Sequence, residues 1–260
     1  MIDPLMFIAL LPAVVLVVYI CRKDRTDKEP PALIAKLLGY GVLSCLPAIV
    51  VELILSAIIE RLNVHNVYLG YFLEAFVVAG LTEETCKFLF LRTTWRNPAF
   101  DYQFDAIVYA VMVALGFAAF ENVKYVYSYG FATGIVRAVT AVPGHAIFGV
   151  FMGYFYGYAK LSDYWGRDDD RKAYLALSVV VPVLMHGCYD FLAFTQESDS
   201  RFTLLFYAYL VALYVFGIRR VNRSSRDDRR VTRETVFDYF RRMQYPMPPQ
   251  YRDRNDDFWR

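Results

Sequence analysis

One apolar stretch of the chain carries two adjacent carboxylates and an ammonium group. Residues 81–90 read LTEETCKFLF and place Glu83, Glu84 and Lys87 inside an apolar run long enough to cross a membrane. Charged side chains within hydrocarbon cost several kcal/mol unless they are paired or face a polar cavity, so they indicate a functional site. Helical spacing brings Lys87 onto the face that carries both glutamates. A buried cluster of these three groups is therefore predicted.

Two histidines occur in apolar stretches further along the chain. His186 and Asp190 are four residues apart, so in a helix the carboxylate can accept the imidazole N–H and fix its tautomer. His145 follows Pro143 and Gly144, a pair that predicts a kink and free backbone groups near the imidazole. His145 also begins a ladder of small residues at positions 149, 153 and 157, which predicts one packing face.

Glu121 and Asn122 place a carboxylate and an amide together in another apolar stretch. The small residues just before them, among them Gly116, allow a neighbouring helix to approach closely. Four successive apolar stretches thus contribute ionisable groups, as a shared internal cavity would require. Arg137 and Glu74 lie nearer the ends of their stretches, where snorkelling and a structural role are expected.

Two histidines and several carboxylates suit two kinds of hydrolytic chemistry. Catalytic zinc sites use three protein ligands and a water, and His145 and His186 are the candidate ligands of such a divalent metal. The sequence has no HExxH motif, so the ordinary helical zinc-protease arrangement is not predicted. Without a metal, a buried carboxylate can act as general base on water while the histidines and Asn122 polarise a carbonyl group. The spacing leaves both mechanisms open.

The composition shows which elements must position these groups. The 260 residues are 57% hydrophobic with a mean hydropathy of +0.30, which is not a soluble globular composition. We predict an all-α polytopic membrane protein, with a transmembrane domain at 1–218, a basic cytoplasmic tail at 219–260, and the polar site between helices three to six. The seven predicted transmembrane spans are 4–21, 32–59, 68–91, 104–127, 133–161, 173–194 and 202–218.

Basic residues alternate between the predicted loops. The loops after spans one, three and five carry several lysines and arginines, and those after spans two, four and six carry at most one. This asymmetry predicts an N-terminus outside and a C-terminus in the cytoplasm. The tail at 219–260 has twelve arginines and seven acidic residues, which predicts a segment held near anionic lipid headgroups. The bilayer is thus a predicted partner and nucleic acid is not.

The predicted spans do not bring all the polar groups to one depth. At 1.5 Å per residue, Glu84 lies about 24 Å below the outer end of its span and Glu121 about 9 Å below its own. A single site therefore requires helix tilt or kinks to close this gap.

Four motifs, in order on successive predicted helices, carry a resemblance. They are EETCK at 83–87, FAAFEN at 117–122, HAIFG at 145–149 and HGCYD at 186–190. Together they resemble the PrsW family of intramembrane proteases, which is allied to the CAAX prenyl-proteases and bacteriocin-processing membrane proteins. In the prenyl-protease branch the second motif ends in histidine, where this chain has Glu121. That difference favours the PrsW side and argues against prenylated substrates.

The resemblance implies a membrane-embedded peptidase of the bacterial plasma membrane that cleaves membrane-anchored proteins. The best-known member of the family makes the first cut in an anti-sigma factor. Carried over by motif, Glu84 is the first choice for activating water and Glu83 the second. The remaining implied site residues are Lys87, the supporting pair Glu121 and Asn122, the metal-binding or oxyanion-stabilising His145 and His186, and Asp190, which orients His186.

Two other functions remain possible from the residues alone. Buried Glu, His and Asp side chains also form the proton relays of ion-coupled transporters, although the sequence shows no convincing inverted repeat. A non-catalytic scaffold that signals through its basic tail is the second alternative. Substituting Glu84 by Gln would abolish cleavage by a peptidase and leave a scaffold's binding intact. The sequence does not specify an oligomeric state.

Overall fold

The described residues fold into helices joined by short loops. The computed structural model describes residues 3–231, apart from the side chain of Glu197, and this range contains no β-strand. The all-α prediction is confirmed. The rest of the predicted tail, 232–260, lies outside the described residues. The helices are α1 (Pro4–Lys23), α2 (Pro31–Arg61), α3 (Val67–Phe72), α4 (Thr82–Leu91), α5 (Asp105–Tyr129), α6 (Phe131–Val139), α7 (Ala141–Tyr164), α8 (Asp168–Ser198) and α9 (Arg201–Arg226).

Most of these helices are long and apolar enough to cross a membrane. Within the described residues, six candidate spans meet this condition, formed by α1, α2, α5, α6 with α7, α8 and α9. The predicted span at 68–91 corresponds to α3, a π-helical segment at Leu73–Leu81 and α4. Large apolar side chains such as Val14, Leu46 and Leu204 are exposed on the outer faces of the bundle, as expected of surfaces that face lipid. The protein is therefore an integral membrane protein.

Local sequence explains where the first two helices begin. Pro4 and Pro31 stand in the first turn of α1 and α2, where a missing backbone N–H costs nothing and the fixed φ angle suits the helix. The Asp3 carboxylate caps α1 by accepting the Leu5 N–H at 3.0 Å.

Helix α5 lies at the centre of the bundle and is almost completely buried along its first fourteen residues. A Cβ atom on Gly153 of α7 would lie 2.3 Å from the Ala106 carbonyl oxygen of α5, and one on Gly116 of α5 would lie 2.1 Å from the Leu38 carbonyl oxygen of α2. Only glycine permits these approaches. The glycine ladder predicted on α7 is confirmed, because Gly149 and Gly157 also face α5.

Two irregularities depart from the predicted spans. The π-helical segment at Leu73–Leu81 widens the third span, and the Thr82 hydroxyl at its end donates to the Val77 carbonyl at 3.4 Å. The fifth span is broken at Thr140, whose φ and ψ are −124° and −74°. The kink predicted near Pro143 falls three residues earlier, at Thr140, and Pro143 itself lies in the first turn of α7, where its ring breaks no helical hydrogen bond.

Four carboxylates outside the spans gather near the start of α5, and we call Asp24, Glu29, Asp101 and Asp228 the juxtamembrane acid cluster. Glu29 accepts a hydrogen bond from the Tyr109 hydroxyl at 2.7 Å, and Asp228 accepts the Phe104 N–H at 2.9 Å. Burial, together with the smaller effect of neighbouring carboxylates, raises the pKa of Glu29 to about 7 and that of Asp24 to about 6.

Candidate active site

The Lys87 ammonium group forms the centre of a buried polar cluster. Its Nζ lies 3.1 Å from Glu83 Oε2, 2.8 Å from Glu84 Oε1 and 3.1 Å from His145 Nδ1. It also lies 4.0 Å from the centre of the Phe117 ring, in cation–π contact. Lys87 and Glu84 are 1% and 0% exposed, so each charge is compensated by its neighbours and not by water. The predicted cluster of Glu83, Glu84 and Lys87 is confirmed.

The hydrogen bonds of His145 define its tautomer. An ammonium group can only donate, so His145 Nδ1 accepts from Lys87 and the ring proton lies on Nε2. That proton is donated to Glu121 Oε2 at 2.9 Å. His145 therefore connects the α4 cluster to a carboxylate of α5.

His186 lies between two carboxylates. Its Nδ1 is 2.9 Å from Glu84 Oε1, and its Nε2 is 3.2 Å from Asp190 Oδ2. The predicted pairing of His186 with Asp190 is confirmed. Phe148 stacks on the imidazole with ring centres 5.0 Å apart and an interplanar angle of 20°. Nothing in the sequence pattern indicated this contact of Phe148.

The two histidines share one arrangement. In each, Nδ1 faces the centre formed by Glu83, Glu84 and Lys87, and Nε2 faces a separate carboxylate. Their rings meet nearly at right angles with centres 5.1 Å apart. A carboxylate on the outer nitrogen fixes the orientation of an imidazole whose inner nitrogen is used for chemistry.

Arg137 and Asn122 form an outer layer behind Glu121. Arg137 Nη2 lies 2.9 Å from Glu121 Oε2, and Arg137 Nε donates to Asn122 Oδ1 at 3.0 Å. The Asn122 amide in turn donates to the Ala9 carbonyl of α1 at 2.8 Å. Arg137 does not snorkel to the headgroups, and the structural role expected of it is confirmed, because the helix break at Thr140 lets α6 direct this side chain towards α5.

A cavity of about 340 Å³ opens onto one side of the cluster. Five of the eight predicted site residues line it, namely Glu83, Glu121, His145, His186 and Asp190. Glu84, Lys87 and Asn122 are fully buried behind this wall. Other polar residues of the wall had no predicted role in the site, among them Glu52, Ser56, Glu74 and Lys124. Glu52 and Glu74 share the signal that identified the others, a carboxylate inside an apolar span.

The donor set at the centre fits a divalent metal. One ligand atom from each of Glu83, Glu84, His145 and His186 can be chosen so that all lie within 4.8 Å of one another. Glu84 Oε2 is buried without a hydrogen-bond partner among the described residues. Imidazoles and carboxylates are the ligand types of catalytic zinc. The Lys87 ammonium competes for this position, since it contacts three of the four donors.

The chain is similar to known proteases along most of its length. Residues 29–218 match a family described as PrsW family intramembrane metalloprotease. Protease PrsW of Bacillus subtilis (strain 168) is 34% identical over 82% of this chain and 92% of its own length. Protease PrsW of Oceanobacillus iheyensis is 35% identical over 82% of this chain and 93% of its own length. Protease PrsW of Clostridioides difficile (strain 630) is 28% identical over 87% and 94%. No solved structure shows a significant match.

The transporter and scaffold alternatives do not account for these similarities, which cover the transmembrane core that holds the buried cluster. The motif resemblance found in the sequence is confirmed over a much longer range than 83–190. The chain belongs to the PrsW family of intramembrane metalloproteases and is an intramembrane peptidase.

Proposed function

We propose that Glu83 is the general base that activates the attacking water. Glu83 lines the cavity, whereas Glu84 is 0% exposed and has one oxygen held between Lys87 and His186. A general base must come within hydrogen-bond reach of the water from which it takes a proton. The motif favoured Glu84 over Glu83 as the general base, and this difference in access to the cavity reverses that order. It is the observation that carries the assignment.

Glu84, His145 and His186 would hold the divalent metal, of which zinc is the best match to the donor set. When bound, such a metal lowers the pKa of a coordinated water and polarises the carbonyl under attack. Around it, Glu121 and Asp190 hold the two imidazole rings in position through their Nε2 atoms. Arg137 fixes Glu121 in turn, and Phe148 fixes the plane of the His186 ring.

The contacts of Lys87 favour a second mechanism for the same reaction. Its ammonium group already supplies a positive charge at the centre, 2.8 Å from Glu84 and 3.1 Å from Glu83. In a carboxylate peptidase without metal, Glu83 takes a proton from water and His186 donates a hydrogen bond to the developing oxyanion. Lys87 then compensates the charge that stays on Glu84.

The substrate in this proposal is a membrane-anchored protein whose scissile bond enters the cavity between the helices. An anti-sigma factor is the candidate that the family resemblance suggests. The proposed setting is a bacterial plasma membrane, with the N-terminus outside, residues 1–218 as the peptidase domain, and residues 219–260 as a cytoplasmic tail.

Two glutamates of the cavity wall provide a matched test of the base. Full-length protein is incubated in proteoliposomes with membrane-anchored anti-sigma factors of its own cell, and cleavage is followed by mass spectrometry. Glu83→Gln is expected to lower the rate by 10²–10⁴-fold, the usual contribution of a general base. Glu52→Gln changes another glutamate of the same wall and is expected to keep most of the activity. Equal losses in both variants would contradict the assignment.

Metal content separates the two mechanisms. The wild-type protein is purified without chelator and its metal is measured by mass spectrometry, beside His145→Ala and His186→Ala variants of verified folding. About one zinc per chain, lost in both variants, would support the metal-bound site. A metal-free wild type that still cleaves its substrate would move the chemistry to the carboxylate mechanism.

A further inference from the structure

The ends of α1 and α9 enclose a strongly basic pocket, remote from the active-site cavity. Its walls consist of seven residues, five of which are cations, and the other two are neutral polar residues. They are Lys23, Arg25, Arg219, Asn222, Arg223, Ser225 and Arg226. Among the described residues, Arg223 has an acidic neighbour, since its Nε lies 3.5 Å from Asp227 on the exposed surface. The pocket therefore has a large excess of positive charge.

The pocket is held in shape by contacts between the two helices. Lys23 Nζ donates to the Asn222 side-chain oxygen at 2.6 Å, and the Ser225 hydroxyl donates to the Lys23 carbonyl at 2.5 Å. Ser225 is 7% exposed. These bonds fix the distance between the two cations at the end of α1 and the three arginines of α9, so the charges converge on one volume instead of spreading over a flat surface.

An apolar crevice of about 320 Å³ lies directly beneath this pocket, between α1, α7 and α9. Tyr19 and Ile20 line it one helical turn before Lys23, and Ile218 and Val221 line it beside Arg219 and Asn222. The remaining residues of its wall are mostly aliphatic, and they include Tyr214. On α9 the crevice extends over about 10 Å, from Tyr214 to Val221 at 1.5 Å per residue.

A basic pocket above an apolar crevice matches one class of ligand, an amphipathic molecule with an anionic head. We propose that α1, α7 and α9 bind one anionic phospholipid, with the phosphate in the basic pocket and an acyl chain in the crevice. Basic pockets between transmembrane helices are known to select anionic headgroups. The site is separate from the catalytic cavity, whose walls include no residue of α1 or α9.

The charge part of the proposal is tested with full-length protein by native mass spectrometry. The protein is titrated with phosphatidylglycerol and with phosphatidylcholine of the same acyl chains. One phosphatidylglycerol is expected to bind more tightly than phosphatidylcholine. Arg219→Gln combined with Arg226→Gln should weaken phosphatidylglycerol binding about 30-fold, since each cation near the membrane surface contributes about a fivefold factor. The control pair Arg92→Gln and Arg96→Gln removes the same charge from exposed residues elsewhere.

The crevice is tested by two valines of α1 that are equally exposed. Val15 lines the crevice, and Val14 does not, yet each is 56% exposed. Val15→Phe should occupy the space of the acyl chain and weaken lipid binding, whereas Val14→Phe should leave it unchanged. Thermal midpoints of all variants verify that the helices remain folded.

Several outcomes would overturn the proposal. Undiminished phosphatidylglycerol binding in the arginine variant would show that something else, such as the chain's own acidic tail residues, covers the pocket. Equal binding of phosphatidylcholine would remove the selectivity for anions. If soluble glycerophosphoglycerol displaces the lipid as readily as intact phosphatidylglycerol does, the pocket binds a free phosphate group and the crevice has no part in it.

Discussion

Carboxylates are buried in two regions of this protein, and the regions differ in what lies against their charge. At the active-site centre, Lys87 contacts Glu83 and Glu84, and Arg137 contacts Glu121. In the juxtamembrane acid cluster, a hydroxyl group donates to one oxygen of Glu29 and a backbone N–H donates to Asp228, while the other Glu29 oxygen is buried without a partner among the described residues. Among the described residues, the ion pair found in this cluster joins Arg230 to Asp101 at 3.8 Å, and the Arg230 side chain is about half exposed.

The two regions stabilise buried carboxylates in different ways. At the active-site centre, Lys87 and Arg137 place a positive charge directly against carboxylates within hydrocarbon, where a general base or a metal ligand is needed. Carboxylates that lack close cations bind protons instead, which is why the pKa values of Glu29 and Asp24 are raised by burial to about 7 and 6. The first arrangement fixes charge for chemistry, and the second makes stability depend on pH.

The largest expected effect comes from removing the central cation. Lys87→Met leaves Glu83 and Glu84 buried without their shared partner, and breaking a buried pair in this way costs about 3–5 kcal/mol. Arg230→Met in the acid cluster should cost below about 1 kcal/mol, because exposed pairs contribute little. The free energy of unfolding in mixed micelles measures both. A loss below about 1 kcal/mol for Lys87→Met would contradict the charge-balance argument, and adding Glu84→Gln to Lys87→Met should recover part of the loss.

A smaller effect is expected from the carboxylates that orient the two histidines. Asp190→Asn and Glu121→Gln keep the side-chain shape and remove the charge that holds each Nε2, so kcat/KM should fall by about 10–100-fold. Zinc affinity, measured with a competing chelator, should fall with it if a metal is bound. Asp101→Asn in the acid cluster serves as the control and should leave kcat/KM unchanged. Thermal midpoints exclude unfolding as the cause, and unchanged kcat/KM in both site variants would show that the rings need no such support.

The smallest expected effect is the pH dependence of stability that Glu29 produces. The folded protein holds the pKa of Glu29 at about 7 against an ordinary value of 4.5, so the folded state binds the proton more tightly than the unfolded chain does. The contribution to stability is therefore present below about pH 4.5 and is lost as the pH rises through 7. Allowing for partial exposure, this amounts to about 1–2 kcal/mol.

Thermal midpoints of the detergent-solubilised protein between pH 5 and pH 8 test this dependence. Glu29→Gln should reduce the drop in midpoint over this range. Glu60→Gln, at an exposed glutamate of α2, should leave the drop unchanged. A pH dependence that is identical in Glu29→Gln and the wild type would assign the effect to other groups.

The contacts that follow from helical spacing were predictable from the sequence. Lys87 with Glu83 and Glu84, and His186 with Asp190, are separated by three or four residues and meet within 3.2 Å. Such contacts depend only on the geometry of one helix. The assignment of these groups to four successive spans followed from the cost of burying charge in hydrocarbon.

The convergence of the helices was not predictable in detail. At 1.5 Å per residue along straight helices, the sequence predicted that Glu84 lies about 15 Å deeper in the membrane than Glu121. In the structure Lys87 and His145 connect them, because two side chains together span the remaining distance. The inward direction of Arg137 depends on its contacts with Glu121 and Asn122 of α5, and hydropathy does not report such contacts. Glu83 reaches the cavity and Glu84 does not because of the shape of the cavity, and the spacing of residues in the sequence does not predict that shape.

The π-helical segment at Leu73–Leu81 limits the insertions and deletions that this part of the chain tolerates. Phe76 of the segment lies against Gly187 of α8, where a Cβ atom would come within 2.3 Å of the ring. That contact fixes how the π-helical segment is rotated about its axis. Glu83 and Glu84 lie just beyond the C-terminal end of the segment. Removing one residue between Phe76 and Glu83 would turn the glutamates by about 100° around the helix axis, away from His186. Apolar exchanges here leave the register intact, so the number of residues in this segment is under stronger constraint than their identity.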